Sequence, residues 1–515
     1  MRSKSYILIL SFLFVSGCSD QNPTKNVDYL IVGGLVYNGE NKEPEKRDIG
    51  ICNNIICFIG IAGDHIKATR TINADGLTLT PGFIDPHTHS LEELSSENKN
   101  ANLNYLTQGV TTVITGNDGG GTPYIAKLRQ QLTDNGIGTN VGMLVGHGKV
   151  REIAMGRLNE KPTDVQLETM KQLVEQAFKE GALGFSTGLY YVPGRYSATE
   201  EVIELAKIAA KYDSIYESHI RDESTFNIGF LNAVKEVIEI AKKAKLPAHI
   251  AHIKALGVDV WGQSAAAINM INKARSNGLK ITADQYPWQA SGTFLHSAVI
   301  PAWVMADSHE IYLARLVNSK LLPKIKTEIT ENIRRRGGAK ALLITASQNK
   351  NWLGKTLQEI AIANGTTAAE TVIVINLLEK VRVASFNMSS EDIESFMVQD
   401  WVVSSSDGTN GHPRKFASFP QKYQEYVVKK RVLTVQEFIH KSTAKTADIF
   451  SIKDRGYLKQ GYKADINLID LKDFQPKASF SNWNLLSTGV RYQFINGVLV
   501  IDNNIYSEQL PGEVL

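Results

Sequence analysis

Four apolar segments of this chain each end in a residue able to hold a metal or carry a proton, and that recurrence narrows the folds open to it. The first, Leu77 to Ile84, is closed by Asp85-Pro86-His87-Thr88-His89. Strand side chains alternate faces, so His87 and His89 project to one side, close enough to share a cation. One His-x-His is weak evidence, but Ser214 to His219, Leu246 to His252 and Trp401 to Asp407 repeat the arrangement. His219 and His252 lie 33 residues apart, with a helical pattern between them at Phe230, Val234, Val237, Ile238 and Ala241. That is the length one βαβ unit needs. Strands that neighbour one another in a parallel barrel gather their C-terminal ends on one rim, where barrel sites are built.

Composition fits a large folded chain. At 515 residues, 43% hydrophobic and 21% charged, it has enough apolar material for a barrel and a smaller domain. The net charge of +3 is small for this size. Arg334-Arg335-Arg336 reads as a solvated helix end, and no basic block is long enough to suggest a nucleic-acid partner.

Arg2 and Lys4 precede an apolar run from Tyr6 to Val15, followed by Ser16-Gly17-Cys18. The run is too short to span a membrane as a helix and reads as an export signal. Val15 to Cys18 resembles a bacterial lipobox, which implies cleavage after residue 17, lipidation of Cys18, and a protein tethered to the periplasmic side of the envelope by acyl chains. Cys52 and Cys57 are the other cysteines. With Asn53-Asn54 as a two-residue turn, Cys52 faces Ile55 and Cys57 faces Gly50, so this register predicts no disulfide, although an oxidising compartment permits one.

Short alternating segments broken by Gly and Asn run from Val27 to Thr80 and return near the end in GYLKQGYKADINLIDL and VRYQFINGVLVIDNN. They predict one small β-sandwich assembled from residues 18–80 and 452–515. Residues 81–451 alternate strands with amphipathic helices. Thr163 and Asp164 open one whose apolar stripe runs through Leu167, Met170 and Val174, with Gly181 placed to end it. Residues 288–350 fit the repeat poorly and predict an insertion over the barrel mouth. The fold expected is a (β/α)8 barrel with a small β-domain.

Taken in order, PGFIDPHTHS, GVTTVITGNDGG, GALGFSTGLYYVPGRYS, YESHIRDES, HIAHIKALG, DQYPW, SSSDGTNGHPRKFASFP and GYKADINLID resemble the amidohydrolase superfamily, and within it the N-acyl-D-amino-acid deacylases, or D-aminoacylases. The resemblance implies zinc-dependent hydrolysis of an N-acyl bond, with His87, His89, His219 and His252 as ligands and Asp407 as catalytic acid and base. In such chemistry a bound metal brings the pKa of its water to about 7 and polarises the carbonyl, and Asp407 takes the proton and returns it to the leaving amine. The resemblance also implies recognition of the substrate carboxylate by Lys254, Tyr286 and Arg414, the last able to make two parallel bonds. Tyr190, Tyr191 and Arg221 are further pocket candidates, Arg221 alternatively pairing with Asp222 or Glu223. His249 reads as a packing or surface residue, and His147 as a group bonded to backbone.

One departure stands out. The family usually carries Cys within GNCG, and this chain has Asp118 within Gly116-Asn117-Asp118-Gly119. A carboxylate also binds zinc, and its two oxygens can bridge two cations and admit Mn²⁺, so the change favours two occupied sites. Alternative readings keep the site and change the substrate, to a cyclic amide as in dihydroorotase- or hydantoinase-like relatives or to a dipeptide with a D residue. Those cyclic-amide relatives commonly use a modified bridging lysine, and no lysine stands at a strand end among these motifs. A non-catalytic binding lipoprotein is the reading from another class, opposed by the intact histidine set and Asp407. Sequence gives no oligomeric state.

Overall fold

The computed structural model describes residues 24–515; the expected export signal and the lipobox-like segment at Cys18 lie outside them. Eight parallel strands form the centre: Phe83–Asp85, Val110–Thr115, Asn140–Gly146, Gly184–Gly188, Ile215–His219, Ala248–Ile250, Ile281–Gln285 and Val402–Ser404. Each pairs in parallel with the next. The ring closes through Asp407, whose backbone N–H donates to the His87 carbonyl at 3.0 Å, and through a parallel bridge between Thr88 and Gly408. The first and last strands therefore meet at residues that carry the site.

Strands packed on both faces read as continuous apolar runs, and Val113, Phe185, Tyr216 and Ala283 are fully buried among the surrounding helices. Those helices are locally specified. Asp164–Lys179 starts at Thr163, whose hydroxyl accepts from the Gln166 N–H while the Gln166 side chain accepts from the Thr163 N–H. Gly181, at φ +99°, lets the chain leave the helix end. Buried faces of this kind contribute roughly 1.5–3 kcal/mol per large apolar side chain.

An insertion separates the seventh and eighth barrel strands. It contains an antiparallel sheet of Ala290–Phe294, Arg382–Phe386 and Leu342–Ala346, with Arg382–Phe386 in the middle, and its own core around Leu295, Ile325, Ile329, Val372 and Ile375. The excursion thus reaches Phe386, beyond the residue 350 expected, because its central strand is the last in sequence. A nine-stranded sheet joins the two flanks of the barrel. Thr78–Pro81 is its seam, parallel to Lys25–Val36 and antiparallel to Ile466–Ile469, and Ile31, Ile49, Leu79, Ile466 and Phe494 fill its core.

Cys52 and Cys57 are joined in a disulfide, contrary to the expectation from a regular hairpin. The register shifts between Gly50 and Ile51, so that Ile51 opposes Ile56 and Gly50 opposes Phe58. Cys57 is the extra residue of a bulge, and its Cα comes within 5.7 Å of that of Cys52, a separation a disulfide spans. Among the described residues no single helix is long and apolar enough to cross a membrane.

Candidate metal centre

At the C-terminal rim five strands deliver the expected residues to one point. His87 and His89 follow the first strand, Asp118 the second, His219 ends the fifth, His252 follows the sixth and Asp407 the eighth. Two clusters of donor atoms share Asp118: His87, His89, Asp118 and Asp407 form one, and Asp118, His219 and His252 the other. Asp118 Oδ1 lies 3.4 Å from His87 Nε2, 3.5 Å from His219 Nδ1 and 3.5 Å from His252 Nε2, while Oδ2 lies 3.5 Å from His89 Nε2. Asp407 Oδ1 is 3.3 Å from His89 Nε2 and 3.7 Å from His87 Nε2.

These spacings test the fit to a metal. Donors held 2.0–2.1 Å from a tetrahedral cation stand about 3.3–3.4 Å from one another, which is the separation seen around Asp118. His87 Nε2 and Asp118 Oδ1 are buried and have no hydrogen-bond partner, which is costly unless a ligand meets them. The electrostatics agree. Burial opposes a charge on His87, yet Asp118 and Glu217 raise its pKa well above the ordinary histidine value. Burial likewise opposes a charge on Asp118, and His87 with its neighbours holds it well below the usual carboxylate range. Such a cluster favours positive charge at its centre.

Local backbone places the donors. Asp118, His252 and Asp407 have φ of 56°, 33° and 46°, a left-handed conformation that costs non-glycine residues about 1–3 kcal/mol each. Asp284 Oδ1 anchors the His252 backbone N–H at 3.0 Å. The glycines beside Asp118 are required: a Cβ on Gly116 would stand 2.3 Å from the Leu144 carbonyl oxygen, and one on Gly119 would stand 2.8 Å from the Gly188 nitrogen.

Several supporting residues escaped the sequence reading. Glu217, fully buried, sets its Oε1 3.1 Å from His87 Nδ1, fixing the ring so that Nε2 faces the cluster. At His252 the arrangement differs: Lys254 Nζ meets Nδ1 at 2.7 Å, and Glu223, whose Oε1 lies 3.1 Å from the same nitrogen, accepts from that lysine. Glu217 was readable in principle, standing two residues before His219 on the same strand face. Asp85 ties the barrel seam, accepting from the N–H of Ser406 at 3.0 Å.

The clusters form the floor of a cavity of about 460 Å³. Lys254, Tyr286, Arg414, Tyr190 and Tyr191 line it. Arg414 bonds Asp407 Oδ2 at 2.7 Å and lies 4.8 Å over the Tyr286 ring. Burial raises the Asp407 carboxyl, but Arg414 first, then His252, keeps it well below the carboxylate range. Arg221 is not at the cavity: it grips Glu236, with Nε–Oε2 at 2.9 Å and Nη2–Oε1 at 2.8 Å, because helix Phe230–Ala244 brings that carboxylate closer than Asp222 or Glu223. His249 is a packing residue, bonded to Asp284 Oδ2 at 3.0 Å and Thr282 Oγ1 at 2.8 Å. His147 meets the Glu201 side chain at 2.8 Å, not backbone, because Glu201 on the neighbouring helix is buried against it. A second cavity, of about 800 Å³, shares Tyr190, Tyr191, Phe226 and Ser297 with the first.

Known proteins resemble this chain along nearly its whole length. The D-aminoacylase of Alcaligenes xylosoxydans xylosoxydans is 26% identical over 96% of this chain and 99% of its own length. The N-acyl-D-glutamate deacylase of the same organism is 27% identical over 95% and 97%. A crystal structure of N-acyl-D-glutamate deacylase from Bordetella bronchiseptica, complexed with zinc and a phosphonate mimic of the tetrahedral intermediate, matches with a TM-score of 0.81 at 26% identity, covering 95% of this chain and 100% of that one. Residues 78–500 match the model of the amidohydrolase family, and with its metal-ready rim on a parallel barrel, the chain belongs to that family.

Proposed function

We propose that this protein is a zinc-dependent hydrolase that cleaves the amide bond of N-acyl-D-amino acids to a carboxylate and a free D-amino acid. The observation that carries it is the pair of donor clusters meeting at Asp118 with Asp407 beside them, at the floor of a cation-lined cavity. The relatives that span nearly the whole chain are deacylases of this kind.

His87, His89 and Asp118 would hold one divalent cation, with Asp407 beside them, and Asp118, His219 and His252 a second. Bound there, such a cation polarises a carbonyl and brings the pKa of a water near neutrality. Asp407 acts on the proton through Oδ1, the oxygen turned to the histidines, since Oδ2 is engaged by Arg414. Kept ionised, it accepts a proton from the attacking water and passes it to the amide nitrogen, which leaves poorly unless protonated. Glu217 keeps the His87 ring in place, and Lys254 with Glu223 the His252 ring. Lys254, Tyr286 and Arg414 supply donors for the substrate carboxylate, and the adjoining cavity of about 800 Å³ gives room for the acyl group.

The experiment is amine release from a panel of N-acetyl-D- and N-acetyl-L-amino acids, with elemental analysis of the same sample. D-selective release with one or two zinc ions per chain is expected. Asp407→Asn should lose at least about a hundredfold in kcat, the scale of lost acid–base catalysis. Full metal occupancy without release from any N-acyl-D-amino acid would defeat the reading in favour of cyclic amides or dipeptides.

We further propose that the protein is exported and held to the envelope through Cys18. The positive residues, apolar run and lipobox-like Val15 to Cys18 support this, as does the Cys52–Cys57 disulfide, which suits an oxidising compartment. Incorporation of labelled palmitate that survives Cys18→Ala would refute it.

A further inference from the structure

The cations of the catalytic cavity divide into two groups. Arg414 is paired with Asp407, Lys254 with Glu223, and Lys415 with Glu93. Arg336 donates its Nε to the Ala298 carbonyl at 2.8 Å. Arg382 lines the same cavity, yet among the described residues its guanidinium has neither a carboxylate partner nor a hydrogen-bond acceptor. It does not drift in solvent. It stands opposite Phe294 on the neighbouring insertion strand, with its guanidinium 4.5 Å from the centre of that ring, and His296 stacks on the same ring at 5.2 Å and 18°.

The guanidinium lies within the electrostatic field of the catalytic residues. Burial, then the positive charge of Arg414, lower its pKa to about 10, while Tyr191, Asp407 and Glu92 act in the opposite direction. It therefore stays charged at neutral pH, desolvated on one side by Phe294 and repelled by Arg414. Glu92, exposed on the rim, makes no ion pair with it. A guanidinium packed against an aromatic ring, with no acceptor of its own, keeps its N–H groups available to take a carboxylate through two parallel bonds.

We infer that Arg382 is a specificity-determining residue that binds a second carboxylate, so that the preferred substrates are N-acyl-D-amino acids with an acidic side chain. The inference rests on the deacylase reading. Lys254, Tyr286 and Arg414 serve the carboxylate common to all such substrates, and Arg382, contributed by the insertion and not by a barrel strand, reads the side chain. A neutral amide of the same shape leaves this guanidinium unanswered in a partly desolvated site, which a polar recognition site penalises strongly.

The test compares N-acetyl-D-glutamate with its neutral isostere N-acetyl-D-glutamine, and N-acetyl-D-aspartate with N-acetyl-D-asparagine, in wild type, Arg382→Met and Arg382→Lys. A charge-assisted pair corresponds to roughly a tenfold to hundredfold difference in binding. Wild type should prefer each acidic member by at least about tenfold in kcat/KM. Arg382→Met should remove that preference mainly through KM, leaving the glutamine analogue within about threefold, and Arg382→Lys should keep part of it. Calorimetry of the zinc-loaded protein with free D-glutamate and D-glutamine gives a readout without turnover, in which D-glutamate should bind more tightly and lose that advantage in Arg382→Met. Equal use of the acidic and neutral members by wild type, or a preference that survives Arg382→Met, overturns the inference while the deacylase stands. Arg382-dependent binding of D-glutamate with no hydrolysis of any N-acyl-D-amino acid keeps the subsite and sinks the deacylase reading instead.

Discussion

Glu217 shows how much of the centre depends on residues that never reach the cation. Its carboxylate lies on the far side of the His87 ring from the donor atom, and Asn117 Nδ2 approaches the same oxygen at 3.4 Å. A carboxylate there fixes the tautomer that leaves Nε2 free and makes the imidazole a stronger donor. Glu217→Gln keeps the shape and removes the charge. We expect it to weaken metal affinity by about 10–100-fold with the fold intact, measured by competition against a chelator of known strength. Unchanged affinity would mean that packing alone positions His87. The site residues legible in the sequence were those whose spacing on a strand end is local, such as His87 with His89, and those carried by the family resemblance, such as Asp407. Arg382 was not legible, since an arginine within an antiparallel strand of an insertion gives no local sign that the sheet leans over the barrel mouth. Arg221 was misplaced for a related reason, its partner Glu236 being one helix away.

At the scale of elements, the barrel was readable because each strand-helix unit repeats a pattern dictated by period and caps. The presence of the insertion was readable but its extent and its sheet were not, since its central strand joins partners far away in sequence and nothing local announces such pairing. The Cys52–Cys57 hairpin failed for a smaller cause, a single bulge that shifts the register by one residue. The insertion also carries an acid-sensitive contact. His296, in helix Leu295–Val299 and stacked on Phe294, has its pKa lowered to about 4 by burial, then by Lys380, Arg382 and His309. Its folded value lies below the unfolded value of 6.5, so the stability it contributes is complete above pH 6.5 and is lost as pH falls through 4. The loss approaches roughly 3 kcal/mol. Unfolding free energy of the metal-free protein should therefore fall more steeply between pH 6.5 and 4 in wild type than in His296→Gln. Parallel curves would show that the ring does not stay neutral in the fold.

For the whole molecule, the centre is a cross-link. Its donors come from the first, second, fifth, sixth and eighth barrel strands, and the barrel seam closes at the His87 carbonyl and Asp407 N–H, within the same cluster. A cation bound by these residues binds the folded state and finds no comparable site in the unfolded chain, so it stabilises by mass action, about 4 kcal/mol when free metal is a thousandfold above its Kd. Unfolding of a protein this long carries an entropy on the order of 1 kcal/mol per degree, which converts that stabilisation into a rise in Tm of about 4 °C. The rigid hydrophobic layers below the rim do not need the metal, because Val113, Phe185 and Tyr216 are buried without reference to it. Exhaustive chelation should then lower Tm by a few degrees while leaving the far-ultraviolet circular dichroism unchanged, and zinc added back should restore both Tm and amine release with the same stoichiometry. A Tm that does not move between stripped and fully loaded protein would mean that the apo rim is held as firmly by its own hydrogen bonds, and that the left-handed backbone at Asp118, His252 and Asp407 is maintained by the loops alone. Collapse of the helical signal on chelation would contradict the argument in the opposite direction, by showing that the barrel closes only around its metal.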